Sequence, residues 1–155
     1  MCAGIALLQS EFPLPLLERA DLRRRCYRRG NGEHEFRFFW REPNPLLPII
    51  LDGTLQLVTW GSKRRKGALP LTGYTWIQSI REGKWSHLEP KTIQVAATAA
   101  YENGVWYPVR LGLQGLLVYD EDNLPHVYLI CRESTRYYFV MTKSKWQPIL
   151  IGESI

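Results

Sequence analysis

The chain has 155 residues, a net charge of +5 and 45% apolar residues, enough for one domain with a real core and ordinary for a globular protein. No apolar run approaches the ~20 residues that cross a bilayer as a helix, and Glu11 interrupts the first apolar stretch with no basic segment before it, so neither a helical span nor a signal peptide is expected. The three cysteines, Cys2, Cys26 and Cys131, are odd in number and fit no zinc or disulfide spacing, and His34, His87 and His126 are scattered; reduced thiols, no metal, no cofactor and a cytoplasmic location are the expectations.

Taken in chain order, residues 2–9 read as a short apolar strand. Leu14, Leu17 and Leu22 lie near helical spacing behind Pro13 and Pro15, which predicts one helix over about 15–26. "RGNG" is a turn, and "EFRFFW" alternates as a strand does. "REPNPLLP" is expected to be irregular, because its three prolines remove donors and fix the backbone. "IILDGTLQLVTWG" reads as a hairpin turning at Asp52 and Gly53. "SKRRKGALPLTG" is a polar loop. "YTWIQSIREGKW" fits a short helix or an extended segment equally. "TIQVAATAAYENGVWYPVRLGLQGLLVYD" reads as successive strands broken at "ENG", Gly112 and Gly115. "HVYLICRES" is a strand, "RYYFVMT" a strand or short helix, and "QPILIGESI" closes the chain. The expected class is α+β: a single strand-rich domain over 1–155, mostly antiparallel, with one or two helices and no internal repeat or linker.

The positive charge is clustered. Arg23, Arg24, Arg25, Arg28 and Arg29 form one group and Lys63, Arg64, Arg65 and Lys66 another. Such groups attract polyanions, because neutralising phosphates releases condensed counterions. Phe36, Phe38, Phe39 and Trp40 follow the first group; Trp60 precedes the second, and Tyr74 and Trp76 follow it. Aromatics interleaved with cations suit single strands, whose unstacked bases need flat partners. Two solvated basic loops are the alternative.

Several motifs stand in a telling order: "MC" at the start, "EPNPLLPII" at 42–50, a hydrophobic stretch ending in Trp60 and Gly61, "WIQSIREG", "ATAAYENGVWYPV" at 97–109, and "YLICRES" before "WQPILI" at 146–151. This order resembles the SRAP family, the SOS-response-associated peptidase domain that acts on abasic sites in single-stranded DNA. Members begin Met-Cys-Gly-Arg and continue through Ala-Pro-Thr-x-x-x-Pro-Val, Trp-Gly, Asn-Ala-Arg-x-Glu, Phe/Tyr-Glu-Trp and His-x-Arg-Met-Pro-Val. By this resemblance Cys2 matches the nucleophile, Pro43 and Pro48 the paired prolines, Trp60 and Gly61 the Trp-Gly pair. Arg81 looks like a DNA-backbone contact, Glu102 like the active-site glutamate, and Pro148 like the late proline. The departures are specific. Ala3, Gly4 and Ile5 replace Gly-Arg-Phe, Ser79 stands for the motif asparagine, Asn103 for a tryptophan, and Ser144, Lys145 and Trp146 occupy the region of the late histidine.

The resemblance implies an abasic-site sensor; a monomer with single-stranded DNA as its partner and no membrane contact is expected. Removal of Met1 would leave Cys2 with an α-amine and a thiol on neighbouring carbons. The amine condenses with the open-chain aldehyde of the lesion, and the thiol closes a thiazolidine ring in an intramolecular second step. An α-amine has a reference pKa of about 7.7–8.0, far below a lysine's ~10.4, so part of it is neutral at physiological pH. A carboxylic acid in apolar surroundings suits the accompanying proton transfers, and Glu102 is the candidate; an exposed turn carboxylate beside Asn103-Gly104 is the plain alternative. Trp60 is read either as a wedge against a flanking base or as a core residue. Arg81, Lys63, Arg64 and Arg65 are the expected phosphate contacts, with Pro43 and Gly61 alongside. Lyase or (auto)peptidase activity, a non-catalytic single-strand-binding module, and an unrelated partner-binding protein with its Cys2 thiol in the core, far from Glu102, are the rival readings.

Overall fold

The computed structural model describes residues 2–152. The chain enters directly into a strand, β1 (Gly4–Leu8), whose first four residues are all buried. Two short helices follow, α1 (Leu14–Leu17) and α2 (Ala20–Arg23), where one was expected. The break lies at Arg19, which adopts extended backbone (φ −67°, ψ 130°). Its guanidinium holds the Asp21 carboxylate through two hydrogen bonds of 3.0 and 2.6 Å, so a local fork replaces a helical turn. β2 (Cys26–Arg28) and β3 (His34–Phe39) form a hairpin around the "RGNG" turn, closed by Arg29 N–H to Glu33 O at 2.7 Å.

The irregular proline segment ends earlier than its composition implies. β4 (Leu46–Leu51) already includes Pro48, opposite Leu57 of β5 (Thr54–Trp60). Pro48 has no donor to give, but its carbonyl accepts from Ala96 N–H at 2.9 Å, so the strand's other neighbour is still tied on. The Asp52-Gly53 turn is as expected, both residues at positive φ (51° and 75°). The ambiguous "YTWIQSIR" is both things in turn: β6 (Tyr74–Trp76), then α3 (Ile77–Arg81).

β7 (Lys91–Val95), β8 (Ala99–Glu102), β9 (Val105–Pro108) and β10 (Leu113–Tyr119) are the successive strands. Chain breaks fall at "ENG" and Gly112 but not at Gly115, which sits inside β10 opposite Leu129. There a Cβ would press on the Val127 and Val95 methyls, so the glycine serves packing rather than a turn. β11 (Pro125–Glu133), α4 (Arg136–Thr142) and β12 (Trp146–Pro148) complete the chain. The Thr135 hydroxyl caps α4 by accepting from Tyr138 N–H, which settles that segment as helix.

The strands make two sheets. The first has order β2-β3-β1-β8-β9 and is wholly antiparallel. The second runs β10-β7-β4-β5-β11-β12, and β10 also pairs with β11, so five strands close on themselves. Its parallel pairings are β11 with β5 and β11 with β6. The fold is α+β and strand-rich, with four short α-helices among the described residues where one or two were expected. Ile5, Phe38, Ala100 and Tyr107 of the first sheet share one buried cluster with Leu47, Ile49, Trp60 and Leu129 of the second. No helix among the described residues is long and apolar enough to cross a membrane.

Candidate functional site

Chain ends usually fray, yet Cys2 is fixed on several sides. Ala3 N–H donates to Tyr101 O at 2.8 Å, and Trp40 N–H donates to Ala3 O at 3.1 Å. The Tyr74 hydroxyl donates to the Cys2 carbonyl at 2.6 Å. The Cys2 thiol donates to Gly4 O at 3.0 Å and its side chain is fully buried. The ladder Gly4↔Tyr101 runs on toward Cys2 and Glu102, so the two residues flank the same end of the β1–β8 pair.

Glu102 is the last residue of β8 and is 7% exposed, not the surface turn carboxylate of the plain alternative. It is held inward by the turn behind it. Asn103 and Gly104 both take positive φ (48° and 82°), which reverses the chain within two residues. The Asn103 amide donates to Thr142 O at 2.8 Å, which ties the turn to the end of α4. Asn103, where the SRAP pattern has tryptophan, thus acts as a turn residue and clamp.

The chemistry of the pocket follows from burial. Desolvation pushes the Cys2 thiol up to about 12, against hydrogen bonds from the Gly4 and Tyr101 backbone, and the Glu102 charge adds to the rise. Cys131 is likewise pushed up to about 12 by burial, with Cys2 and Glu102 contributing. Tyr74, Tyr107 and Tyr138 are all raised, first by burial and then by charges that include Cys2 and Glu102. These groups therefore surround one small region. Tyr107 and Tyr138 share a hydrogen bond of 3.0 Å between their hydroxyls. The region holds neutral thiols and phenols beside one carboxyl group, a set able to pass protons but not to present a thiolate. Cys2 thus meets half of the mark set for an unrelated protein: its thiol is in the core, but it flanks the same end of the β1–β8 pair as Glu102, near enough to feel its charge.

Trp60, read evenly as a wedge or a core residue, lies in the core. It is fully buried, its indole N–H donates to Gly73 O at 2.9 Å, and its ring packs on Trp40 and Tyr74 at 5.9 and 6.0 Å. No base can stack on it; it supports Tyr74, which in turn holds Cys2. Gly61 is buried, at φ +57°, with its N–H on Val127 O at 2.8 Å, and a side chain there would collide with the Thr72 carbonyl. Its role is a chain reversal, not a DNA contact.

Of the expected phosphate contacts, Lys63 is already engaged. Its ammonium donates to the Trp40 and Glu42 carbonyls, both at 2.7 Å, and lies 4.5 Å from the Trp40 ring centre. Arg64 faces Asp122 at 3.9 Å on the surface, and Arg65 is exposed. Arg81 ends α3 exposed, on an element packed against β6 and β11. Pro43 is exposed on the rim between two clefts, of about 580 and 210 Å³. The larger is lined by Arg24, Arg25, Tyr27, Arg37 and Phe39, and Arg25 is paired there with Glu42.

Two features went unread in the sequence. Tyr74, Tyr107 and Tyr138 come from three distant segments, and only the fold assembles them. His126 is buried with both ring nitrogens engaged, Nδ1 on Gly61 O at 2.7 Å and Nε2 on Asp120 at 2.9 Å. His126 is therefore a structural cross-tie between Gly61 and Asp120.

No family model, curated protein or solved structure matches this chain.

Proposed function

We propose that this protein captures abasic sites in single-stranded DNA through Cys2, once Met1 has been removed. The observation that carries this reading is the immobilised chain start: the main chain of Cys2 is pinned by Tyr74 and, through Ala3, by Tyr101 and Trp40, beside the buried Glu102. The β1 ladder accounts for the Ala3 ties, and the Tyr74 hydroxyl bond to the Cys2 carbonyl is added to them. Proximity chemistry depends on such fixing.

In this reading the free α-amine attacks the C1 aldehyde carbon of the opened sugar. The carbinolamine loses water with a proton supplied by Glu102, giving an iminium ion. The thiol sulfur then adds to the same carbon, its proton leaves to the Glu102 carboxylate, and a neutral thiazolidine ring remains. The high thiol pKa fits this order, because the amine is the first nucleophile and the thiol is needed only after the electrophile is tethered next to it.

The test is a denaturing gel of protein mixed with an oligonucleotide carrying one abasic site. Wild-type protein is expected to leave a shifted band that Cys2→Ala abolishes and Glu102→Gln slows about 10²–10⁴-fold, the usual span for a lost acid-base group. Intact-mass measurement must show Met1 absent from the crosslinked species. A shifted band of equal strength with Cys2→Ala would exclude the reading.

One observation favours a second reading, a single-strand-binding module without covalent chemistry: the Cys2 side chain has no exposed surface. Retention of the abasic strand in a native gel, with no band surviving denaturation, selects it.

A further inference from the structure

We propose that the outer face of the five-stranded sheet is a stacking platform for the bases of undamaged single-stranded DNA, separate from the Cys2 chemistry. The register fixes which residues share that face. Gly4 lies opposite both Phe39 and Tyr101, Tyr101 lies opposite Trp106, and Ala6 lies opposite both Arg37 and Ala99. Directly opposed residues point to the same side. The inner side is the core row of Ile5, Phe38, Ala100 and Tyr107. The outer side therefore has Gly4, Ala6 and Ala99 along its middle, with large flat side chains around them.

Those side chains form one continuous array. Phe39, Tyr101 and Trp106 meet pairwise at centroid distances of 5.0 to 6.0 Å. The Arg37 guanidinium lies between Trp106, at 4.8 Å, and Tyr27, at 4.2 Å. Arg41 covers Phe39 at 4.7 Å. Tyr27 is 45% exposed, and Phe39, Tyr101 and Trp106 are all partly open to solvent.

The charge identifies the occupant. Residues 23–41 hold seven arginines against two glutamates, Glu33 and Glu35. Both glutamates are spent on Arg29, and Glu35 also on Arg37. Arg23, Arg24 and Arg28 stand exposed at the edge of the array, and Arg24 lines the 580 Å³ cleft that adjoins Tyr27, Arg37 and Phe39. Aromatic faces and guanidinium planes at the centre, with free-standing arginines at the rim, match unpaired bases on a polyphosphate chain. A duplex hides its base faces and gains only the rim.

The experiment is fluorescence anisotropy with a fluorescein-labelled, undamaged 15-mer of thymidylate, using wild type, Tyr27→Ala, Trp106→Leu and Cys2→Ala. Circular dichroism confirms that each variant is folded. Because Tyr27 is largely exposed, its variant keeps the test open if Trp106→Leu does not fold. Binding is expected to weaken about five- to hundredfold for each platform variant, the span of one lost base stack. It should be unchanged for Cys2→Ala and at least tenfold weaker for a duplex of equal length. Wild-type affinity in folded Tyr27→Ala and Trp106→Leu, or equal binding of the duplex, overturns the platform. Absence of abasic-site crosslinking by the wild-type protein, with intact binding to the thymidylate strand, overturns only the covalent reading.

Discussion

The Tyr74 hydroxyl donates a 2.6 Å hydrogen bond to the carbonyl of Cys2, joining the second residue of the chain to the first strand after the long basic loop. Burial raises the Tyr74 phenol far above its ordinary value, so it stays a donor at every accessible pH. Trp60 packs against its ring, which makes the Trp-Gly segment a support for the chain start.

Tyr74→Phe tests that relationship. It removes one hydrogen bond and leaves the Cys2 carbonyl without this partner, an expected cost of about 1–3 kcal/mol in urea unfolding. Crosslinking to an abasic strand should slow by roughly tenfold or more, because the aminothiol is no longer held in place. Affinity for an undamaged strand should not change. A loss of both in proportion would mean that Tyr74 serves stability alone.

Thiol accessibility divides the three cysteines. Cys26 is exposed, whereas Cys2 and Cys131 are buried. In native protein at pH 8, Ellman's reagent is expected to label Cys26 quickly and the other two only on unfolding. Fast labelling of two thiols, lost in Cys2→Ala, would show that Cys2 is open in the mature protein.

The same two thiols set an alkaline limit. Both are pushed up to about 12 by burial, while an unfolded thiol ionises near ~8.5. The folded state binds their protons more tightly, so the stability this provides is full below ~8.5 and is lost as pH rises from there toward 12. Chemical denaturation between pH 8 and 11 should show a falling stability whose slope is reduced in Cys131→Ala. An unchanged slope in that variant counts against a buried thiol.

The Asp120–His126 pair acts at the other end of the scale. Burial opposes ionisation of Asp120, but the His126 hydrogen bond and the Leu124 and Asp122 amides prevail and hold the carboxyl below the usual aspartate range. Its contribution is therefore present above ~4, the unfolded value, and disappears as pH falls through the lowered folded value. Asp120→Asn should cost about 1–3 kcal/mol at pH 7 and much less at pH 3. A penalty that stays constant over that range would argue against a charged pair.

Gly61→Ala examines backbone necessity. Positive φ and the Thr72 carbonyl both oppose a side chain there. The expected loss is at least about 2 kcal/mol, against a few tenths for Gly30→Ala, where nothing lies near the added methyl. Equal behaviour of the two variants would mean that the chain reversal relaxes freely.

Strand identity was largely legible where turn chemistry marks the ends. Asp52-Gly53 and Asn103-Gly104 each fix a hairpin through two residues at positive φ. The helix expected over 15–26 was not legible, because the Arg19–Asp21 fork depends on a side-chain conformation that leucine spacing does not encode. Trp60 was legible only as an even choice, and the Gly73 carbonyl that accepts its indole N–H decides for the core. The resemblance named Cys2 and Glu102, but not the pairing of β1 with β8 that sets both at one sheet end. The tyrosines around them could not be read, since residues 74, 107 and 138 come from β6, β9 and α4, elements far apart in the chain.

β1 is the middle of its sheet, flanked by β3 and by β8, which ends at residue 102. During synthesis this apolar segment leaves the ribosome without its second neighbour until about a hundred residues have followed. Contacts of such long sequence separation close slowly and leave sticky surface waiting meanwhile. A nascent chain arrested before β8 would therefore lack both the Tyr101 tie to Ala3 and the Glu102 acid.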